Sequence, residues 1–291
     1  MPVPADWTGE APSRAARLRA ALPTATIPLT ARAGARVLRR DPQRVAQARL
    51  QMDALVGARR TPAELDGLAQ AYLRYWAWRS ESRQHPAHET TQPVEGAEHL
   101  VSLTRAGLPA IVSFIHQGAW EGGLASVVRQ GAALDVIVDD GMVDLQGPKH
   151  MHDVRRKGTS TGLEIFGVRE GARGIIARLK AGKQVGISLD VPGPTPTTFL
   201  GREVHLATSN VGLARKLDVP IVAISVLRTT PDVGGTPRVV VHEPLRPADF
   251  DDEMALHGAL KAIHEAAAEA WPESYEQPTE RMHYPGFSTP A

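Results

Sequence analysis

Hydrophobic and polar positions along this chain fall into two regimes that change near residue 94. Through the first 80 residues, Ala, Leu and Arg recur on a helical period, with Pro23, Pro28 and Pro42 as punctuation. Segments 15–22 and 31–38 read as short helices. Asp41 followed by Pro42 supplies a cap and a first-turn proline for a helix to about Val56. Thr61-Pro62-Ala63-Glu64 repeats that signature and opens a helix through Leu68, Tyr72, Leu73, Trp76 and Trp78. The His-, Thr- and Pro-rich stretch from Ser80 to Pro93 reads as a linker, and Val94 to Ala106 as one more helix.

Beyond that point short apolar runs alternate with longer helical patterns. The runs 109–115, 133–139, 162–168, 184–190, 220–228 and 237–243 predict strands; 120–129, 170–182, 207–217 and 251–270 predict helices. Strands separated by helices of this length imply an α/β fold, a mostly parallel central sheet flanked by helices, preceded by an N-terminal helical region. The expected division is a basic helical region at 1–80, an α/β core at 94–282 and a tail at 283–291. The proline-containing segment 272–291 is expected to extend over the surface.

Composition narrows the classes. The chain has 291 residues, 42% hydrophobic and 22% charged, enough for a sizeable core. It contains no cysteine, which excludes a thiolate nucleophile, a disulfide framework and a Cys-based zinc site. No run of about 18 apolar residues and no secretory apolar leader is present, so a cytoplasmic location is the default expectation. The net charge is +1, yet residues 1–60 hold eleven arginines against four acidic residues. Basic Ala/Leu/Arg helices suit contact with an anionic membrane surface; nucleic acid is not expected, because no aromatic is interleaved among the arginines from Arg14 to Arg60.

The most informative stretch is Pro109 to Gly123. A buried strand stops abruptly at His116, Gln117-Gly118-Ala119 make a turn, and Trp120-Glu121 open a helix. Ligands of open α/β sheets bind where strands end, so His116 is a candidate general base. Glu121, five residues on, is expected to hold one ring nitrogen and fix the tautomer. Gly118, Gly122 and Gly123 are expected to leave room for substrate, Trp120 to offer an apolar wall, and the helix to aim its positive end at the site. Asp190 ends another strand and should emerge on the same sheet edge. A base held by an acid, with no thiol, points to direct attack: His116 would deprotonate a hydroxyl or amine that attacks an activated acyl donor such as a carrier thioester.

Other motifs are weaker. Arg155, Arg156 and Lys157 read as a phosphate clamp or a solvated face. Gly158-Thr159-Ser160-Thr161-Gly162 fits the G-x-S-x-G elbow of serine hydrolases, with the strand on the wrong side of the serine. His150-Met151-His152-Asp153 is a weak metal pattern, and no metal is assigned. A serine hydrolase using Ser160 and a noncatalytic membrane-binding module stay open as alternatives.

The segment Phe114–Gly123 resembles the His-x4-Asp/Glu block of the bacterial lipid A biosynthesis (lauroyl/myristoyl) acyltransferase family, whose actinobacterial branch contains phosphatidylinositol mannoside acyltransferases. Further blocks agree in order: Leu179–Asp190, Thr198–Gly201, and His205 onward through the next helix and strand. Ala71–Trp76 resembles the Arg-Tyr-Trp helix of the mannoside branch, and Trp271–Tyr275 the C-terminal Pro-Glu block. The likeness spans roughly residues 40–282. It implies an acyltransferase at the inner face of the cytoplasmic membrane, using acyl-CoA or acyl-carrier protein as co-substrate and no bound cofactor. The acceptor it implies is a (glyco)lipid. His116 would be its general base and Glu121 the orienting acid, with Gln117, Trp120, Arg155, Arg156, Asp190, Phe199 and Gly201 binding substrate. Ala119 stands where the family usually has Asn, Val191-Pro192-Gly193 replace polar residues after Asp190, and Arg202 intervenes before Glu203. An acyltransferase acting on a soluble secondary metabolite with an unusual donor therefore stays open.

Overall fold

The computed structural model describes residues 18, 21–144, 146, 155, 158–230 and 236–285. The patterns at 150–153 and at Arg156 and Lys157 lie outside the described residues, as does most of segment 15–22. The strands are β1 (Val94–Glu95), β2 (Ala110–Phe114), β3 (Leu134–Val138), β4 (Glu164–Gly167), β5 (Gln184–Ser188), β6 (Pro192–Phe199), β7 (Arg202–Leu206), β8 (Ile221–Leu227) and β9 (Arg238–Val241). Seven form one sheet in the order β1-β9-β8-β2-β5-β3-β4. The neighbours β8-β2-β5-β3-β4 all pair parallel, while β9 is antiparallel to β8. The helices are α1 (Ile27–Leu38), α2 (Pro42–Val56), α3 (Pro62–Ser82), α4 (Glu98–Arg105), α5 (Trp120–Arg129), α6 (Gly171–Lys180), α7 (Ser209–Leu217) and α8 (Glu253–Ala270). All six expected strands and the four expected helices of the core are present.

The period of two in β2 divides the layers. Ala110, Val112 and Phe114 face a core built with Leu100 of α4 and Leu124 and Val127 of α5. Ile111 and Ile115 face the opposite core, with Leu256 and Leu260 of α8 and with Met52, Leu55, Tyr72 and Leu73 of α2 and α3. A central strand buried on both faces explains why β2 reads as an unbroken apolar run. The start signals operate as read: Asp41 accepts from the Gln43 and Arg44 amides, and Thr61 and Glu64 form a reciprocal capping box.

Three expectations require correction. The segment 94–106 is not one helix. Val94–Glu95 pairs with β9, Gly96 turns the chain at φ +73°, and the helix begins at Glu98. The 80–93 stretch is not a loose linker: α3 continues to Ser82, a helical turn spans Pro86–Glu89, and Glu89 is buried. The 272–284 segment does not lie over the surface; Pro272, Ser274, Tyr275, Glu276, Met282 and Tyr284 are buried. β6 and β7 form a separate antiparallel ribbon that the sequence pattern did not announce, since three prolines interrupt β6. Its Phe199↔Arg202 closing pair leaves Leu200 (φ +50°) and Gly201 (φ +82°) as the two-residue turn.

Removing residues 271–291 is expected to abolish cooperative unfolding. Losing a buried Trp or a comparable aromatic costs about 3–5 kcal/mol, and Trp271 and Tyr275 together approach the whole stability of a typical domain. Thermal denaturation followed by near-ultraviolet circular dichroism checks this, and a native-like transition in the truncated chain would contradict the packing.

Candidate active site

Strand register builds the site. β2 and β5 are parallel neighbours with Phe114 directly paired to Ser188. His116 and Asp190 each lie two residues beyond those partners, so the two strands deliver them side by side at the carboxyl edge of the sheet. The Leu189 amide bonds the Phe114 carbonyl at 2.8 Å and carries the pairing one step past the strands. His116 Nδ1 then lies 2.8 Å from Asp190 Oδ1, and the His116 amide donates to Asp190 Oδ2 at 2.9 Å. The Tyr275 hydroxyl donates to the same Oδ2 at 2.9 Å.

Asp190 is 1% exposed. Burial pushes its pKa up, but the His116 ring and amide outweigh that and hold it below the usual carboxylate range. An ionised carboxylate only accepts, so neutral His116 must donate from Nδ1 and keep its lone pair on Nε2. Nε2 has no hydrogen-bond partner among the described residues. The ring is flanked by Trp120, whose plane stands at 75° with centroids 4.8 Å apart, and Trp120 stacks on Phe114 at 13° and 5.4 Å. A buried imidazole with one unpartnered basic nitrogen and a fixed tautomer is equipped to take a proton.

The partner of His116 is thus Asp190, and the expectation for Glu121 is corrected. No hydrogen bond or ion pair joins Glu121 to His116 among the described residues. Glu121 sits in the first turn of α5, where it meets Arg79 and accepts from Arg83 at 3.1 Å. Arg79 lies in the last turn of α3 and Arg83 caps its C-terminal end, and Arg79 is fully buried. Glu89 contacts Arg79 as well, and Glu276 bonds Arg83 at 2.9 Å and Arg79 at 3.4 Å. Burial alone would raise the pKa of Glu276; Arg83, Arg79 and His116 together hold it low. An unpaired charge at this depth costs several kcal/mol, so the arginines dictate where Glu121 points.

The other expected residues divide clearly. Trp120 lies at His116, and its Nε1 donates to Glu276 Oε2 at 3.3 Å. Gln117 follows His116 in the chain, but its buried amide donates to the Ala267 and Trp271 carbonyls at 2.9 and 3.0 Å and so pins the end of α8. Arg155 donates to the Val143 carbonyl at 2.6 Å. Phe199 is 1% exposed and packs on Tyr275, while Gly201 occupies the ribbon turn. The glycines admit the chain itself rather than a substrate. A Cβ on Gly118 (φ +64°) would lie 2.6 Å from Val226, and one on Gly122 would lie 2.3 Å from the Glu89 carbonyl. Ser160 is exposed and precedes β4, at the opposite sheet edge, with helix before it and strand after it; the elbow geometry is reversed.

Residues to which the sequence assigned no role complete the site, although Tyr275 ends the Trp271–Tyr275 block. Tyr275 and Glu276 arrive on a segment clamped to the His116 loop: the Glu276 amide donates to the His116 carbonyl at 2.8 Å, and the Gly118 amide to the Ser274 carbonyl at 3.0 Å. Beneath the dyad, Ser113 Oγ lies 3.0 Å from His264 Nε2, and both are buried. A concavity of about 580 Å³ is lined by Gly107, Pro109, Lys180, Gly182, Leu217 and Val219. These residues precede strands or end helices on the far edge, so it is unrelated to His116.

His264 generates a pH prediction. Burial pushes its pKa down to about 4 from an ordinary 6.5. Between those values the unfolded chain binds a proton that the folded one refuses, so stability falls as pH drops from 6.5 towards 4, by about 3 kcal/mol from this group. Denaturant unfolding at pH 7 and 5 should show a markedly shallower loss in His264→Gln than in the parent. Equal slopes would remove His264 as the cause.

A model of the family described as bacterial lipid A biosynthesis acyltransferase matches residues 16–277. No curated protein matches the sequence. Among solved structures, the crystal structure of the 1-acyl-sn-glycerophosphate (LPA) acyltransferase PlsC from Thermotoga maritima is similar over 68% of this chain and 82% of that chain, at 18% identity and a TM-score of 0.41. With the family model covering nearly the whole described chain, this protein belongs to the bacterial lipid A biosynthesis acyltransferase family and is an acyltransferase.

Proposed function

We propose that His116 is the general base of an acyl transfer from a carrier thioester to a hydroxyl of a glycolipid acceptor, and that Asp190 orients it. Nε2 takes the acceptor's proton as its oxygen attacks the thioester carbonyl. The tetrahedral intermediate then collapses, the C–S bond breaks, and the departing thiolate takes the proton back from the imidazolium. Asp190 stabilises that imidazolium and fixes the ring tautomer throughout. Acyl-CoA or acyl-carrier protein fits this scheme, because a thioester needs no enzyme nucleophile. The single observation that carries the reading is the His116 Nδ1–Asp190 contact at 2.8 Å, with Nε2 unpartnered among the described residues. The Ala71–Trp76 resemblance supports a phosphatidylinositol mannoside type of acceptor over other lipids.

A peripheral site at the inner membrane face fits the exposed side of α1. Leu29 and Val37 are 63% and 66% exposed, Ala33 lies between them on the same stripe, and Arg32, Arg36 and Arg40 flank it. Arg39 is pushed down by burial and by neighbouring Arg74 and Arg36, which marks a local excess of positive charge. No helix among the described residues is long and apolar enough to cross a membrane.

His116→Ala is expected to lower acyl transfer about 10²–10⁴-fold in assays with a range of thioesters. Asp190→Asn should lose a comparable factor, because an amide at that position no longer compels the Nδ1–H tautomer. Undiminished turnover by His116→Ala would end the proposal. Separately, the protein should sediment with vesicles containing anionic lipid at low salt and release at high salt. Leu29→Glu with Val37→Glu should remove most of that binding. Absence of binding at every salt concentration, with transfer to a water-soluble acceptor, would favour the secondary-metabolite reading.

A further inference from the structure

The segment from Trp271 to Tyr284 runs between the dyad and the N-terminal helices and is bonded to the His116 loop and to Asp190. Ser274 accepts from the Gly118 amide and Glu276 donates to the His116 carbonyl, together making the antiparallel Gln117–Tyr275 bridge, and the Tyr275 hydroxyl reaches Asp190. Only the last acts on the acid of the dyad. Asp190 Oδ2 receives the His116 amide and the Tyr275 hydroxyl, each at 2.9 Å, which leaves Oδ1 aimed at the ring. A carboxylate on a loop rotates freely about its terminal bond unless the oxygen facing away from its partner is held. The His116 amide holds it from the strand side and Tyr275 from the opposite side.

The geometry points to Tyr275 as a positioning residue: its hydroxyl fixes the Asp190 carboxylate plane and weakens its basicity, tuning the proton affinity of His116. This rests on the reading of His116 as the base. Tyr275 is fully buried, and desolvation together with Asp190 holds its hydroxyl pKa well above the ordinary value. It therefore remains a donor across the working pH range. The charged and titratable groups around the pair are His264 from α8, Arg281, Tyr284 and Glu276 from the C-terminal segment, and Arg79 and Arg83 behind Glu276. Of these, His264, Arg281, Glu276, Arg79 and Arg83 supply no hydrogen bond to Asp190 among the described residues. Removing the Tyr275 donor leaves a more basic carboxylate, a tighter imidazolium, and a base that loses its proton only at higher pH.

Tyr275→Phe keeps the ring that packs on Phe199 and deletes only the donor. Its kcat should fall about tenfold with KM for both substrates nearly unchanged, and the acid limb of kcat/KM should move up by about half a pH unit or more. Leu256→Ala, in the same core but away from the dyad, serves as a destabilised control: it should lower Tm without moving the acid limb. An unshifted acid limb in Tyr275→Phe overturns the assignment, whether or not kcat falls, because loss of packing alone would act that way. If Tyr275→Phe matches the parent while His116→Ala and Asp190→Asn are inactive, the positioning role fails and the dyad stands. If His116→Ala is active, the dyad itself fails.

Discussion

Parallel pairing of β2 with β5 in one register is the constraint on which the rest of this site depends. With Phe114 opposite Ser188, equal overhangs of two residues bring His116 and Asp190 together. A slip of one residue would turn the Asp190 side chain to the other face of the sheet. Register of this kind is strongly specified here because both faces of β2 are buried, against α4 and α5 on one side and α8 on the other. The cores on the two faces therefore hold the imidazole where it is, at a distance from the chemistry.

A second layer of constraint is electrostatic. Arg79 and Arg83 bring two guanidinium groups below the surface, and Glu89, Glu121 and Glu276 gather around them. Glu276 is held low by Arg83, Arg79, His116 and Arg281 together, so this cluster and the dyad are electrostatically linked. The cluster also joins four parts of the chain: α3, the 86–89 turn, the start of α5 and the C-terminal segment. It is a structural junction that also lies within electrostatic reach of His116. Trp120 links the two, edge-on to the His116 ring and bonded through Nε1 to Glu276.

Small residues near the site serve the same end. Gly118 and Gly122 let Val226 and the Glu89 carbonyl approach closer than any Cβ would allow. The turn after β2 is thereby pressed between β8 and the 86–92 segment, where Gln92 bonds the Glu89 and Ala119 carbonyls at 3.0 and 2.9 Å. A histidine on a loop this tightly packed is preorganised.

Local pattern determined the elements: six core strands, their intervening helices, two capped N-terminal helices, and a histidine at a strand end are all written in period, caps and turn residues. Family blocks along the chain carried the reaction class. Tertiary structure alone decided which acid serves His116. Glu121 is near in sequence, but a helix-first-turn side chain faces whatever charge packs against that helix, and here this is Arg79 and Arg83. Asp190 lies 74 residues away and becomes a neighbour only through strand pairing. Tyr275 and Glu276 were hidden for the same reason, since a proline-containing segment reads as surface until its amides are seen to pair with the His116 loop. Periodicity reports which face of an element is buried; it holds no record of which distant element does the burying.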